Sequence, residues 1–323
     1  MSAVTNRTRS IIKTMAVYLA VICFLLMVLI PAVLVWQSQI ALEKHHLTKT
    51  GAMILLWNKG EPIKYGMFAD YSKGSFHWLL IQEDLTMTPA AAAFLAKSHN
   101  RLLNFSLFHL TPAVAKGLSQ TNFGLNFNNL EITSTEMLSS LVSGSYPSLR
   151  IPIPNLTAAE AEALSQFKGK SLTGTKVGEL TPQAAKALGR CGATKIQLLQ
   201  LDKLSEEAAV GLAQCGAKEL VIGCLNSISK ETATALSQFQ GDTLKLHMPH
   251  ISEEAAVALG QYPGLLWLPS LQTLPDEAAH ALADRKLFKV GYGSWDGPHK
   301  LDKLPASAAA ILREADNNSE LTD

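Results

Sequence analysis

Apolar and polar positions repeat down most of this chain with a constant period. A ten-residue phrase, such as Leu204-Ser-Glu-Glu-Ala-Ala-Val-Gly-Leu-Ala, opens at Met87, Leu110, Ile132, Leu156, Leu180, Leu204, Ile228, Ile251, Leu274 and Leu304. The steps between these residues are 23, 22, 24, 24, 24, 24, 23, 23 and 30. A period in this range predicts a solenoid, in which each unit buries its apolar face only against its neighbours. Ahead of each phrase, pairs such as Ile196-x-Leu198, Leu220-x-Ile222 and Leu266-x-Leu268 have period two. Both side chains of such a pair point to one face of a short strand.

The phrase itself carries helix-start signals. Ser or Thr follows the opening residue at Thr88, Thr111, Thr133, Thr157, Thr181, Ser205, Ser229 and Ser252. A hydroxyl there caps an otherwise unpaired backbone N–H. Pro89, Pro112 and Pro182 come next, where a missing N–H costs nothing, and Glu206, Glu207, Glu253 and Glu254 suit the positive end of the helix dipole. Ala-Ala pairs let the helix approach the strand layer, with Leu188, Leu212, Leu236 and Leu259 as inward knobs. Gly192, Gly216, Gly241 and Gly264 read as C-terminal turns of the helices. Pro275 and Pro305 replace the cap hydroxyl in the last two copies.

These strand and helix halves resemble the leucine-rich-repeat family, in a bacterial-type variant with Ala-rich helices. Ile196 and Leu198, or Leu220 and Ile222, match the strand pair of its pattern Leu-x-x-Leu-x-Leu-x-x-Asn/Cys-x-Leu. The resemblance covers roughly residues 79–312 and implies an α/β solenoid of about ten strand-turn-helix repeats, with strands inside and helices outside. Val177, Leu201, Leu225 and Leu271 take the Asn/Cys position, so the family's side-chain hydrogen-bond ladder is absent. Ala193 and Ala217 replace the first Leu.

Charge adds a second feature. Lys+Arg is 28 and Asp+Glu is 27, so nothing in the balance favours nucleic acid. From Thr14 to Leu42 there is no Asp, Glu, Lys or Arg. That stretch is long enough for a membrane helix, which needs roughly 20 residues, and is longer than the core of a cleavable signal. Arg7, Arg9 and Lys13 precede it without an acidic residue, which places the N-terminus in the cytoplasm and the array outside, periplasmic or extracellular. The expected organisation is a cytoplasmic tail (1–13), a single-pass transmembrane helix (14–38), a stalk with N-terminal cap (39–78), the solenoid (79–313) and a polar tail (314–323).

Chemical motifs are sparse. There is no nucleophile elbow, phosphate loop or zincin helix, so the expectation is a non-enzyme with no cofactor and no metal site. His247-x-x-His250 reads as a solvated pair, since no carboxylate or Cys completes a ligand set. Cys191 and Cys215 share one phase in adjacent repeats. They read as two small buried side chains, with a disulfide open in an oxidising compartment.

Strand alternation turns one row outward: Asn104, Asn126, Asn128, Arg150, Thr173, Gln197, Val221, Lys245, His247, Trp267 and Lys289. Its C-terminal half groups Lys245, His247 and Trp267 near an insertion carrying Tyr292 and Trp295, the composition of a partner-binding hot spot. The competing reading packs Trp267 against the end loop as a cap. The expected function is a membrane-anchored binding or scaffold protein whose strand face engages an unknown protein or cell-envelope ligand. An enzyme accessory, an enzyme with an unrecognised site and a structural spacer are the alternatives.

Overall fold

The computed structural model describes residues 46–47, 67–69, 79–81, 86–97, 102–105, 109–132, 134–283, 288–290, 301 and 304–320. Strands and helices alternate through them. Leu79–Ile81, Leu102–Phe105, Gly124–Phe127, Ser148–Pro152, Ser171–Thr175, Lys195–Leu198, Glu219–Ile222, Thr243–Leu246, Leu265–Leu268 and Phe288–Val290 pair in that order, all parallel. Met67–Ala69, antiparallel to Leu79–Ile81, makes the sheet eleven-stranded. The register advances by one repeat per strand, as in Lys195↔Glu219↔Thr243↔Leu265.

Each crossover is a short helix. Ala184, Ala185 and Leu188 on one, and Ala208, Ala209 and Leu212 on the next, are buried. All ten opening residues join one continuous core with them, Met87 and Ile132 only partly buried. Side-chain caps form at Thr88, Thr111, Thr157, Thr181, Ser205, Ser229 and Ser252 as expected. In the third copy the cap is Ser134, one residue past the expected Thr133, which lies outside the described residues. The buried pair decides this. Met137 and Leu138 stand three and four residues after Ser134, as Ala208 and Ala209 stand after Ser205.

The turn after the strands replaces the missing side-chain ladder with main chain. Lys176, Gln200 and Cys224, one repeat apart, hold φ of 63°, 66° and 66°. Their side chains are exposed, and the left-handed turn drops Val177, Leu201 and Leu225 into the core. The Val177 N–H donates to Leu199 C=O at 3.2 Å and the Leu201 N–H to Gly223 C=O at 2.9 Å. Pairing between repeats therefore continues past the strands without Asn or Cys.

The glycines after the helices differ from the expected C-terminal turns. Helices end on right-handed residues such as Gln214, Gln238 and Gln261, and none of the four glycines takes a positive φ. Two instead make room for a ring. A Cβ on Gly241 would lie 2.3 Å from Phe239 Cζ and 2.5 Å from Ala217 O; on Gly264 it would lie 2.5 Å from the Tyr262 hydroxyl. The rings belong to an internal column. Tyr146 and Phe167 are 5.4 Å apart, Phe239 and Tyr262 are 6.0 Å apart, and Cys191 and Cys215 occupy the two repeats between. Both thiols are free and buried, and burial pushes each above its ordinary pKa. Where Cys stands in the column, the residue two places on is a buried Ala, Ala193 or Ala217.

At the C-terminus the last helix, Ala306–Glu320, runs through seven residues (314–320) of the expected polar tail. Glu314 and Ala315 favour helix, and no Gly or Pro follows Pro305 to stop it. Among the described residues no helix is long and apolar enough to cross a membrane; the expected span, 14–38, lies outside them.

The two glycine environments separate by mutation. Gly241→Ala is expected to destabilise the fold by about 1–3 kcal/mol through overpacking. Gly216→Ala, with nothing within 4 Å of its Cβ, is expected to be neutral or slightly stabilising. Urea unfolding of the two variants checks this, and equal losses at both positions would restore the turn reading.

Candidate functional site

The outward row exists as one line of register across the sheet: Asn104↔Asn126↔Arg150↔Thr173↔Gln197↔Val221↔Lys245↔Trp267↔Lys289. Its neighbours in each strand, such as Leu149, Ile196, Leu244 and Leu266, point to the helix layer and are buried. Exposure along the row is less uniform than alternation predicts. Arg150 is exposed and Asn126, Gln197, Lys245 and Trp267 are half-buried, but Thr173, Val221 and Lys289 are buried. Strands about 4.8 Å apart press short side chains against longer neighbours. Thr173 shows the effect, its hydroxyl lying 2.9 Å from Gln197 Oε1.

The C-terminal half of the row is a stack. Lys245 Nζ lies 3.8 Å from the Trp267 ring centroid, and Lys289 Nζ lies 5.5 Å from it. Parallel pairing places these three residues directly side by side, so the ring quadrupole meets a cation from each adjacent strand. Two strands before Lys245, Lys195 pairs with Glu219 at 2.7 Å. The Lys245 ammonium is held below its ordinary pKa, first by burial and then by Lys195, with Glu219 acting the other way.

His247 sits two residues beyond Lys245, where the strand gives way to the turn. Its N–H donates to Ile222 C=O at 2.8 Å, and its Nδ1 lies 3.0 Å from Ser270 Oγ in the next repeat. His250 repeats the arrangement, with Nδ1 2.7 Å from Thr273 Oγ1. Each imidazole thus ties one repeat to the next. Burial lowers the His247 pKa, and the neighbouring Lys245 charge lowers it further. Among the described residues no group of three or more His, Cys, Asp or Glu is placed to hold a metal ion.

Of the five residues expected at the site, the structure puts Lys245 and Trp267 in contact and His247 on the same strand path. Tyr292 and Trp295 lie outside the described residues. Sequence reasoning put Lys289 in the outward row but not over the indole, and it missed the hydroxyl partner Ser270. The first was legible, because Lys245, Trp267 and Lys289 follow at equal steps of 22 residues, the offset that the register of these strands uses. Ser270 lies three residues past Trp267 while His247 lies two past Lys245, so equal spacing does not reveal that pair.

No protein-family model matches the chain, and no curated protein matches it. Among solved structures, one of the Toll–Spatzle complex, described as a molecular hub in Drosophila development and innate immunity, is similar at 11% identity with a TM-score of 0.48. The match covers 80% of this chain and 41% of that chain. The repeat architecture described above rests on the register and packing of this chain's own strands and helices.

The His247 environment has a pH signature. Its folded pKa lies below the ordinary imidazole value of about 6.5, so the unfolded state takes up the proton first. The stability His247 contributes is complete above that value and is lost as pH falls from it toward the folded pKa. In an NMR titration His247 is expected to protonate below the ordinary value, and Lys245→Met is expected to move it back up. A Lys245→Met protein whose His247 titration is unchanged would show that the lysine charge does not reach the ring.

Proposed function

We propose that this chain is a binding or scaffold module of the leucine-rich-repeat type, held at a membrane by residues 14–38. Its array lies outside the cytoplasm, and its strand face engages a protein or cell-envelope partner, with no catalytic step and no cofactor. The observation that carries this reading is the Lys245–Trp267–Lys289 stack on a rigid parallel sheet. An indole whose neighbours already fix its orientation loses little entropy when a partner covers it. Aromatic anchors of this kind dominate interface energies. The uncharged stretch from Thr14 to Leu42, preceded by Arg7, Arg9 and Lys13 with no acid among them and followed by Glu43, Lys44 and Lys49, supports the anchoring and the topology.

Trp267→Ala is expected to weaken capture of a partner by the detergent-solubilised chain by about 2 kcal/mol, whereas Asn126→Ala is expected to cost little. Binding measured for both, with folding checked by circular dichroism, decides between them. A folded, fully competent Trp267→Ala protein alongside a defective Asn126→Ala protein would move the surface to the other end of the row.

Protease added to spheroplasts is expected to degrade the array while sparing residues on the cytoplasmic side. Protection of the array until the membrane is lysed would reverse the topology.

A further inference from the structure

The near balance of 28 basic and 27 acidic residues conceals two oppositely charged layers. In the described strands of the eleven-stranded sheet the charged residues are Arg150, Lys195, Lys245 and Lys289 against a single acid, Glu219. The first turns of the helices hold the opposite excess, including Glu160, Glu206, Glu207, Glu253 and Glu254. Acids at helix N-termini are favoured by the dipole, and six of the described helices carry one or two in the first turn, whereas those starting at Pro89, Pro112, Pro182 and Ala306 carry none. Glu219 is already taken by Lys195 at 2.7 Å.

We propose that the strand face is an electropositive docking surface for an extended, acidic protein segment, with Arg150 and Lys245 as its two charge contacts and Trp267 as its apolar anchor. This names the partner chemistry of the surface proposed above and rests on that reading. Lys289 is buried, so among the described residues Arg150, exposed, and Lys245, half-buried and stacked on Trp267, are the row positions a partner meets as cations. They are four strands apart, about 19 Å at 4.8 Å per strand. Between them the row is neutral: Thr173 and Gln197, bonded to each other, and the buried Val221.

This spacing selects among polyanions. Duplex DNA carries one charge per about 1.7 Å of axis, so it would lay phosphates along the neutral stretch with no cation to meet them. An extended polypeptide rises about 3.3 Å per residue, so 19 Å corresponds to about six residues. An even separation puts two carboxylates on the same face of the segment. Arg150 can take one carboxylate through two parallel N–H···O bonds, and Lys245 can take the other as a point charge.

The test is a selection of random displayed peptides, long enough to span the row, on the full chain in neutral detergent, followed by binding measurements. The expected winners are net acidic with two acids about six residues apart, bind more weakly as salt rises, and lose about tenfold or more in affinity for the Arg150→Glu/Lys245→Glu chain. The neutral variant Arg150→Gln/Lys245→Gln is expected to fall between and controls for folding. Neutral or basic winners, acidic winners indifferent to the reversals, or no winners at all would overturn the proposal. So would duplex DNA or phosphatidylglycerol vesicles binding through these two residues where peptides do not. Winners that need Trp267 but ignore both charges would sink the acidic partner while leaving the binding face intact. Winners indifferent to Trp267→Ala and to the reversals would remove the strand face as the binding surface.

Discussion

Strands pair about 4.8 Å apart, whereas helices ordinarily pack at about 8–10 Å, and every repeat here has to satisfy both spacings at once. The mismatch puts the sheet on the inside of any bend. Small residues on the helices reduce it. A Cβ on Gly117 would lie 2.9 Å from Ala92 Cβ, and one on Gly211 would lie 2.7 Å from Lys186 N and 3.0 Å from Ala185 Cβ. The Ala-Ala pairs and these glycines let neighbouring helix backbones close up, which holds the sheet near its natural register over many repeats. The Ala-rich composition is therefore a spacing device as well as a propensity for helix.

Small helices leave little apolar volume per repeat, and the internal column supplies it. Where the column residue is Phe239 or Tyr262, its ring reaches over the glycine two places on; where it is Cys191 or Cys215, that place carries Ala193 or Ala217. Bulk at the first position goes with glycine at the second, and a small first residue with Ala at the second, although Cys with Ala fills less space than a ring with glycine. Tyr146 departs from the rule. Its hydroxyl donates to Leu141 C=O at 3.0 Å inside its own repeat, and the residue two on is Ser148 rather than glycine.

Most of this scaffold was legible in the residues, because local signals and the repeat period agreed. The opening apolar residues, the strand pairs and the hydroxyl caps each predicted the same element in successive repeats, and the single misplaced cap arose where Thr133, Ser134 and Thr135 offered three hydroxyls in a row. The left-handed turns were not legible, since Lys176, Gln200 and Cys224 are not residues that announce a positive φ. They are tolerated because three successive repeats impose the same main-chain bonds on them. The candidate site was legible as a row but not as a surface. Alternation says which way a side chain points, whereas burial of Thr173, Val221 and Lys289 depends on what stands beside each of them at strand spacing.

The same crowding gives the row its electrostatic character. Lys245 is half-buried over an indole, and Lys195 lies near enough to raise the cost of its charge. His247 feels Lys245 in turn and is held toward its neutral form. Both shifts come first from burial on the crowded row and second from a neighbouring lysine. A carboxylate brought against Lys245 would favour its charged form, whereas the same carboxylate beside a solvated lysine would only exchange one hydrated partner for another. Among the described residues the acid that acts on Lys245 is Glu219, which is also paired with Lys195. On the proposed reading, a partner that brings a carboxylate there gains specificity and association rate from the charge more than raw affinity.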